Sequence, residues 1–302
     1  MDNSSLTIYQ SRTGGYIMFI DIIMDSLMDS VKLLPFLFLT YLLMAMLEHR
    51  TGAAAREKIK KAGKSGPVWG GLLGVLPQCG FSTAASSLYA GKIITVGTLT
   101  AVYLSTSDEM LPILISNAVP ARTIAGILTW KVAIAVVSGL LVDIIYRKVI
   151  RKEEKEINVH AVCEAEHCHC EHGIWSSAFS HTIKIFVYIF LLSFLLNAVI
   201  GLIGEDTLAG VFTAIPVIGE IVAALVGMIP NCASSVVITQ LYLEKIIGAG
   251  PMMAGLLVNA GVGFLVLFRL NKDKKQNLGI AAVIFCLGVF WGVLIEMMGI
   301  VF

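Results

Sequence analysis

The chain has 302 residues, of which 57% are hydrophobic and 14% charged, and its mean hydropathy is +0.83. A soluble domain carries about 25% charged residues, so this composition excludes a soluble body of this size. The net charge of +1 excludes the basic footprint of a nucleic-acid binder.

The N-terminus lacks the basic, apolar and small-residue pattern of a cleaved signal peptide, so insertion is expected through the first membrane helix itself. Along Tyr16–Val31, Asp21, Asp25 and Asp29 recur every four residues, with Ile17, Ile20, Met24, Leu27 and Met28 elsewhere around the turn. That pattern predicts an amphipathic helix lying in the membrane interface. A first membrane helix follows at about Leu33–Leu47, then a basic loop from His49 to Gly66. Val68–Leu76 and Phe81–Ala90 are each too short for a comfortable span of about 20 residues, and Pro77-Gln78-Cys79-Gly80 separates them. Val96–Ala118 and Ala121–Tyr146 are long enough to cross as single helices.

A charged segment, Arg147–His181, ends the first half. The second half follows the same order: Ile183–Ile203, Ala209–Ile229, a break at Pro230-Asn231-Cys232, Ser234–Leu243, Ala249–Phe268 and Leu278–Phe302. A gapless shift of 153 positions lays Gly74 on Gly227, Pro77 on Pro230, Cys79 on Cys232 and Ser82 on Ser235. It also lays Leu88-Tyr89 on Leu241-Tyr242, Lys92-Ile93-Ile94 on Lys245-Ile246-Ile247, and Gly97 on Gly250. Chance rarely matches Pro, Cys, Tyr, Lys and Gly in one register, so the chain is expected to be an internal duplication.

Charge sets the orientation. The loop after the first helix, the start of the central segment (Arg147, Lys148, Arg151, Lys152, Lys155) and Arg269–Lys275 are basic, which puts all three in the cytoplasm. Arg122, beside a short outer turn, is the one dissenting charge. Five segments per half, or three spans plus a re-entrant hairpin, both satisfy this and leave both termini outside. Either odd count makes the halves enter from opposite sides. The expected fold is therefore an all-α polytopic membrane protein of about ten membrane segments. It comprises two five-segment inverted-topology repeats with broken helices at Pro77 and Pro230. Its expected divisions are 1–32 (amphipathic segment), 33–146 (first repeat), 147–181 (cytosolic linker) and 182–302 (second repeat).

Inverted repeats are a plan of secondary transporters, whose substrate sites lie near the midplane where helices are interrupted. Proline suits the first turn of a new helix, so each break reads as the start of a half-helix with free amides at the membrane centre. The expected substrate ligands are Gln78, Cys79 and Ser82 from one break, Asn231, Cys232 and Ser235 from the other, and Asn259. Thiolates select soft ions; alone, each cysteine would read as a small packed residue. Asp108 and Glu109 fall in the middle of the expected Val96–Ala118 helix, where acids are costly and usually functional. Lys131 lies about as far beyond the Pro120 turn as Asp108 lies before it. Asp108, Glu109 and Lys131 therefore form an expected ion-coupling group.

His160, Cys163, His167, Cys168, His169, Cys170 and His172 place seven soft or borderline ligands within thirteen residues. That density predicts a cytosolic metal collector or sensor, although the spacing fits no single zinc-finger pattern and several metals suit it. No other cofactor is expected. The expected partners are the lipid bilayer and the transported species, with homo-oligomerisation left open. There is no Gly-x-x-x-x-Gly-Lys-Ser/Thr, Cys-x-x-Cys, His-Glu-x-x-His or Gly-x-Ser-x-Gly, so no catalytic role is expected.

Leu76-Pro77-Gln78-Cys79-Gly80-Phe81-Ser82, Ile229-Pro230-Asn231-Cys232-Ala233-Ser234-Ser235 and Ser105-Thr106-Ser107-Asp108-Glu109-Met110 resemble motifs of the ten-transmembrane heavy-metal exporters, also described as arsenic efflux proteins. Some relatives carry a manganese-transporter label. The resemblance covers roughly Val31 to Phe302 and implies efflux of a heavy-metal or metalloid species across the cytoplasmic membrane. Two other cargoes fit the same fold: manganese on oxygen and nitrogen ligands, and an organic or anionic substrate at the half-helix N-termini.

Overall fold

The computed structural model describes residues 65–75, 80–107, 110–149 and 217–302, with parts of 23–42 and 179–195. The described residues are helical and contain no strand. The helices with complete bounds are α1 (Gly66–Gly74), α2 (Gly80–Ala90), α3 (Val96–Ser105), α4 (Met110–Ser116) and α5 (Ala121–Val149), then α6 (Ile218–Gly227), α7 (Cys232–Leu243), α8 (Ala249–Val258), α9 (Gly263–Leu270) and α10 (Lys274–Met297). Most of the expected amphipathic segment, 1–32, and of the central segment, 147–181, lies outside the described residues.

Among the described residues, three stretches are long and apolar enough to cross a membrane: Ala121–Lys148, Ala249–Leu270 and Lys274–Met297. The middle one, which contains α8 and α9, is 83% buried inside the protein, against 33% for each of the others. It is therefore a central element, while α5 and α10 turn much of their apolar surface outward, as lipid-facing helices do. The nine residues of α1 span only about 13 Å, less than half of the roughly 30 Å hydrocarbon thickness.

Glycine contacts fix the helix directions. Gly66 lies against Thr98, Gly70 against Thr98 and Val102, and Gly74 against Val102 and Ser105, so α1 and α3 run parallel. α2 ends at Ala90, shortly before α3 begins, and its Ser86 lies beside Tyr103, so α2 runs antiparallel to α3. Gly97 meets Gly139 and Asp143, and Gly139 meets Ala101, so α5 runs antiparallel to α3. The second half has the same arrangement. Gly219 meets Pro251 and Gly227 meets Gly255, making α6 parallel to α8. Gly250 meets Glu296 and Gly292, and Gly288 meets Val258, making α10 antiparallel to α8. Helix starts recur at an interval of 153 residues: Val96 and Ala249, Met110 and Gly263, Ala121 and Lys274.

Side chains reach between α5 and α10 in opposite chain order. Gln276 donates to the Tyr146 hydroxyl (3.0 Å), Trp291 Nε1 donates to Ser138 Oγ (2.9 Å), and Gly126 lies beside Phe302. α5 and α10 are thus antiparallel to each other. The halves also interleave: α2 packs against α9, and α7 against α4.

Each expected single helix, Val96–Ala118 and Ala249–Phe268, is interrupted. α3 stops at Ser105 because Thr106 turns to an extended backbone conformation (φ −53°, ψ 130°), and α4 begins at Met110. α8 stops at Val258, with Asn259 at ψ 94°, and α9 begins at Gly263. The run Val96–Ala118 is therefore not one continuous helix, and Asp108 and Glu109 lie outside the described residues. Pro112 suits the first turn of α4, and Gly261 takes a positive φ of 52° at the second interruption. α7 begins at Cys232, so Pro230 precedes that helix instead of occupying its first turn.

Two features at matched positions secure the core helices. The Asp143 carboxylate accepts from the Gly97 amide (2.8 Å) and the Thr95 hydroxyl (2.8 Å) at the start of α3. At the shifted positions, Glu296 accepts from the Gly250 amide (2.8 Å) at the start of α8. Each acid thus caps a neighbouring helix, where a negative charge complements the dipole. Asp143→Ala and Glu296→Ala should each lower stability by about 1 to 2 kcal/mol, and the effects should add because the sites are separate. Thermal unfolding in detergent checks this; unchanged midpoints would contradict it.

Lys92 and Lys245 have φ of 57° and 60°. Their amides bond back to Tyr89 and Tyr242, and the next amides to Leu88 and Leu241, which closes α2 and α7 with left-handed turns. Their recurrence therefore has a backbone explanation beyond complementing the helix dipole. A left-handed conformation costs an L-residue roughly 1 kcal/mol. Lys92→Gly and Lys245→Gly should each raise the unfolding midpoint, and a fall would contradict this account of the turn.

Candidate functional site

Among the described residues, helix is interrupted after α3 and after α8, and a short non-helical stretch separates α6 from α7. Gly263, the first residue of α9, abuts Ser82 in the first turn of α2; a Cβ at Gly263 would lie 2.8 Å from the Ser82 Cβ. The N-termini of α2 and α9 are therefore side by side, each with the partial positive charge of a helix start.

Beside this junction, α2 carries Ser82, Thr83, Ser86 and Ser87, all fully buried. Each of the last three donates to a carbonyl one turn back: Gly80, Ser82 and Thr83 respectively. Such back-bonding lets a helix carry hydroxyls through apolar surroundings. Ser86 Oγ also lies 2.6 Å from the Tyr103 hydroxyl and 2.8 Å from the Gly263 carbonyl. The buried Tyr103 ring meets Phe264 edge-on at 5.1 Å. Ser86 and Tyr103 thereby tie α2, α3 and α9 together, across the two halves.

On the other side, Asn231, Ser234 and Ser235 are buried at the start of α7. Ser234 donates to the Asn231 carbonyl (2.8 Å), and Thr239 donates to that of Ser235 (2.7 Å). Asn259 is buried where α8 ends, and its Oδ1 accepts from the Gly261 amide (2.9 Å).

Lys131 is fully buried near the middle of the membrane-long α5. Its ammonium donates to the Thr106 carbonyl, at the end of α3, and to the Leu256 carbonyl, in the last turn of α8 (3.1 Å). One cation thus meets the C-terminal ends of a broken helix from each half.

Of the expected site residues, Ser82, Asn231, Ser235, Asn259 and Lys131 are described, and each is buried. Gln78, Cys79, Asp108 and Glu109 lie outside the described residues, as does the Cys232 side chain; its backbone opens α7. His160, Cys163, His167, Cys168, His169, Cys170 and His172 also lie outside them. Among the described residues, no group of three His, Cys, Asp or Glu side chains could hold a metal ion. Sequence reasoning missed Ser86, Tyr103 and the buried Glu220 in the first turn of α6. It also missed Asp143 and Glu296, whose 153-residue spacing was a usable signal.

No curated protein and no solved structure matches the chain. The model of one family, ArsP_2, described as "Putative, 10TM heavy-metal exporter", matches residues 18–221, more than half of the chain. With its apolar membrane-long helices and interrupted core helices, the chain is a multi-pass membrane protein that belongs to this family of ten-transmembrane heavy-metal exporters.

Proposed function

We propose that the chain is a secondary active transporter that exports a heavy-metal or metalloid species, arsenite-like in its affinity for thiols, across the cytoplasmic membrane. The observation that carries this reading is the meeting of helix breaks from both halves around Ser82, Gly263, Thr106, Leu256 and Lys131. Interrupted backbone at membrane depth is tolerated only where it is buried in protein or lines a cavity, and transporters place cargo and coupling ions at such breaks.

In this reading the halves, 33–146 and 182–302, are inverted repeats. The antiparallel relation of α5 and α10 and the 153-residue recurrence of helix starts support it. Each of the pairs α1–α2 and α6–α7 is a re-entrant hairpin, while α3–α4 and α8–α9 are interrupted crossings. Cys79 and Cys232 contact the cargo with Gln78, Ser82, Asn231, Ser235 and Asn259 around them. Asp108, Glu109 and Lys131 couple transport to a proton or other ion gradient. The 147–181 linker is cytoplasmic and gathers metal, both termini are outside, and the protein performs no catalytic step. Rocking of one half against the other then exposes the same site to each side of the membrane in turn.

A second cargo has an observation in its favour. The described site side chains Ser82, Asn231, Ser235 and Asn259 offer oxygen and amide ligands, which suit manganese better than a thiophilic ion. Uptake into inside-out vesicles separates the two. Arsenite, manganese, zinc, cadmium and copper(I) would each be offered with the gradient intact and dissipated. Gradient-dependent uptake of arsenite or a soft metal supports the main reading, and gradient-dependent uptake of manganese alone supports the second. No uptake of any of these ions would refute both.

A further inference from the structure

Helix C-terminal ends carry unpaired carbonyls and a partial charge of about −0.5 each. Where two such ends face one point they present about one negative charge and several oxygen lone pairs, a place for a single small cation. Interrupted transporter helices use such carbonyls to hold coupling ions. Here α3 and α8, one from each half, present the Thr106 and Leu256 carbonyls to one point, and the Lys131 ammonium fills it. The position 153 residues on from Lys131 is Ile284, so the matched position carries no cation.

We infer that Lys131 is a tethered cation occupying an alkali-ion site between the two halves, so that the ligand class of this position is Na⁺, K⁺ or a small primary ammonium. The wild-type protein therefore needs no dissolved alkali ion there. Removing the side chain to Cβ frees the site for one. This rests on the chain being a secondary transporter but on no particular cargo.

The test is thermal unfolding of the full-length protein, purified in detergent, in choline chloride with Na⁺, K⁺ or methylammonium titrated in. No transported metal is present, so the outcome is independent of cargo identity. Wild type should show no saturable shift. Lys131→Ala should unfold at a lower temperature in choline and gain a saturable upward shift with at least one of the three cations. Lys131→Met, which refills the space with an uncharged chain, should gain none. Asp108 and Glu109 follow Thr106 closely in the chain, so Lys131→Ala is also measured with Asp108→Asn and Glu109→Gln. A shift that persists there belongs to the carbonyls. The inference is overturned if wild type shows a saturable shift, if Lys131→Ala shows none, or if its shift vanishes when the two acids are neutralised. Should Lys131→Ala not fold, Lys131→Ser takes its place with the same expectations.

Discussion

Gly227→Ala should be among the most damaging single substitutions in this chain, and purified variant should unfold well below wild type. A Cβ at Gly227 would stand 2.2 Å from the Gly255 carbonyl oxygen and 3.0 and 3.1 Å from its carbonyl carbon and Cα. The obstacle is backbone, so no rotamer change relieves it. Small residues let membrane helices approach this closely, and the α6–α8 contact depends on that approach. Overpacking typically costs about 1–3 kcal/mol, and a backbone clash should lie at the upper end. Gly279→Ala on α10 is the control: nothing lies within 4 Å of its Cβ. It should be neutral or stabilising by up to about 1 kcal/mol, the helix preference for Ala over Gly. Equal unfolding midpoints for the two variants would contradict the packing described.

The second large effect belongs to Lys131→Met, which should lower stability by about 2 kcal/mol and cut transport at least about tenfold. The substitution keeps an extended, flexible side chain but removes the donor. The Thr106 and Leu256 carbonyls lose that buried partner, and a lost buried partner costs about 1–3 kcal/mol. A loss of about 1.4 kcal/mol in the transport cycle is already tenfold in rate. Because the bond runs from α5 to α8, the change should act on transport as well as on stability. Thermal midpoints and vesicle uptake measure the two effects separately. Wild-type uptake by a destabilised Lys131→Met would leave the bridge a structural role only.

The membrane class was legible because twenty-residue apolar runs have few soluble explanations. That Lys131 reaches the end of α3 was legible too, since counting outward from the Pro120 turn sets it level with that stretch. Its Leu256 partner was not: that contact is a backbone carbonyl, which every residue has, and it comes from the other half. The interruption at 259–262 was hidden within an apolar run, where the Gly261–Gly263 pair was a weak signal because glycine is common in membrane helices. The end of α3 had a plainer signal, the polar run Ser105-Thr106-Ser107-Asp108-Glu109 followed by Pro112, but acids within a long apolar stretch read as functional charge inside one helix. The Ser86–Tyr103–Gly263 junction depends on residues 177 positions apart in the chain, which no local pattern relates. Asp143 and Glu296 were a missed opportunity, since the shift that matched the cysteines also matches the two carboxylates.

In the proposed function, cargo binds between the two halves where the half-helices begin. Uptake of arsenite and of manganese by inside-out vesicles, compared between wild type and Cys79→Ser/Cys232→Ser with Asp108→Asn alongside, tests it most directly. Gradient-dependent arsenite uptake should be lost in the double cysteine variant while the protein stays folded and inserted. Arsenite uptake that survives the loss of both cysteines would contradict it, and manganese uptake that survives them but fails in Asp108→Asn would move the site to the α3–α4 interruption.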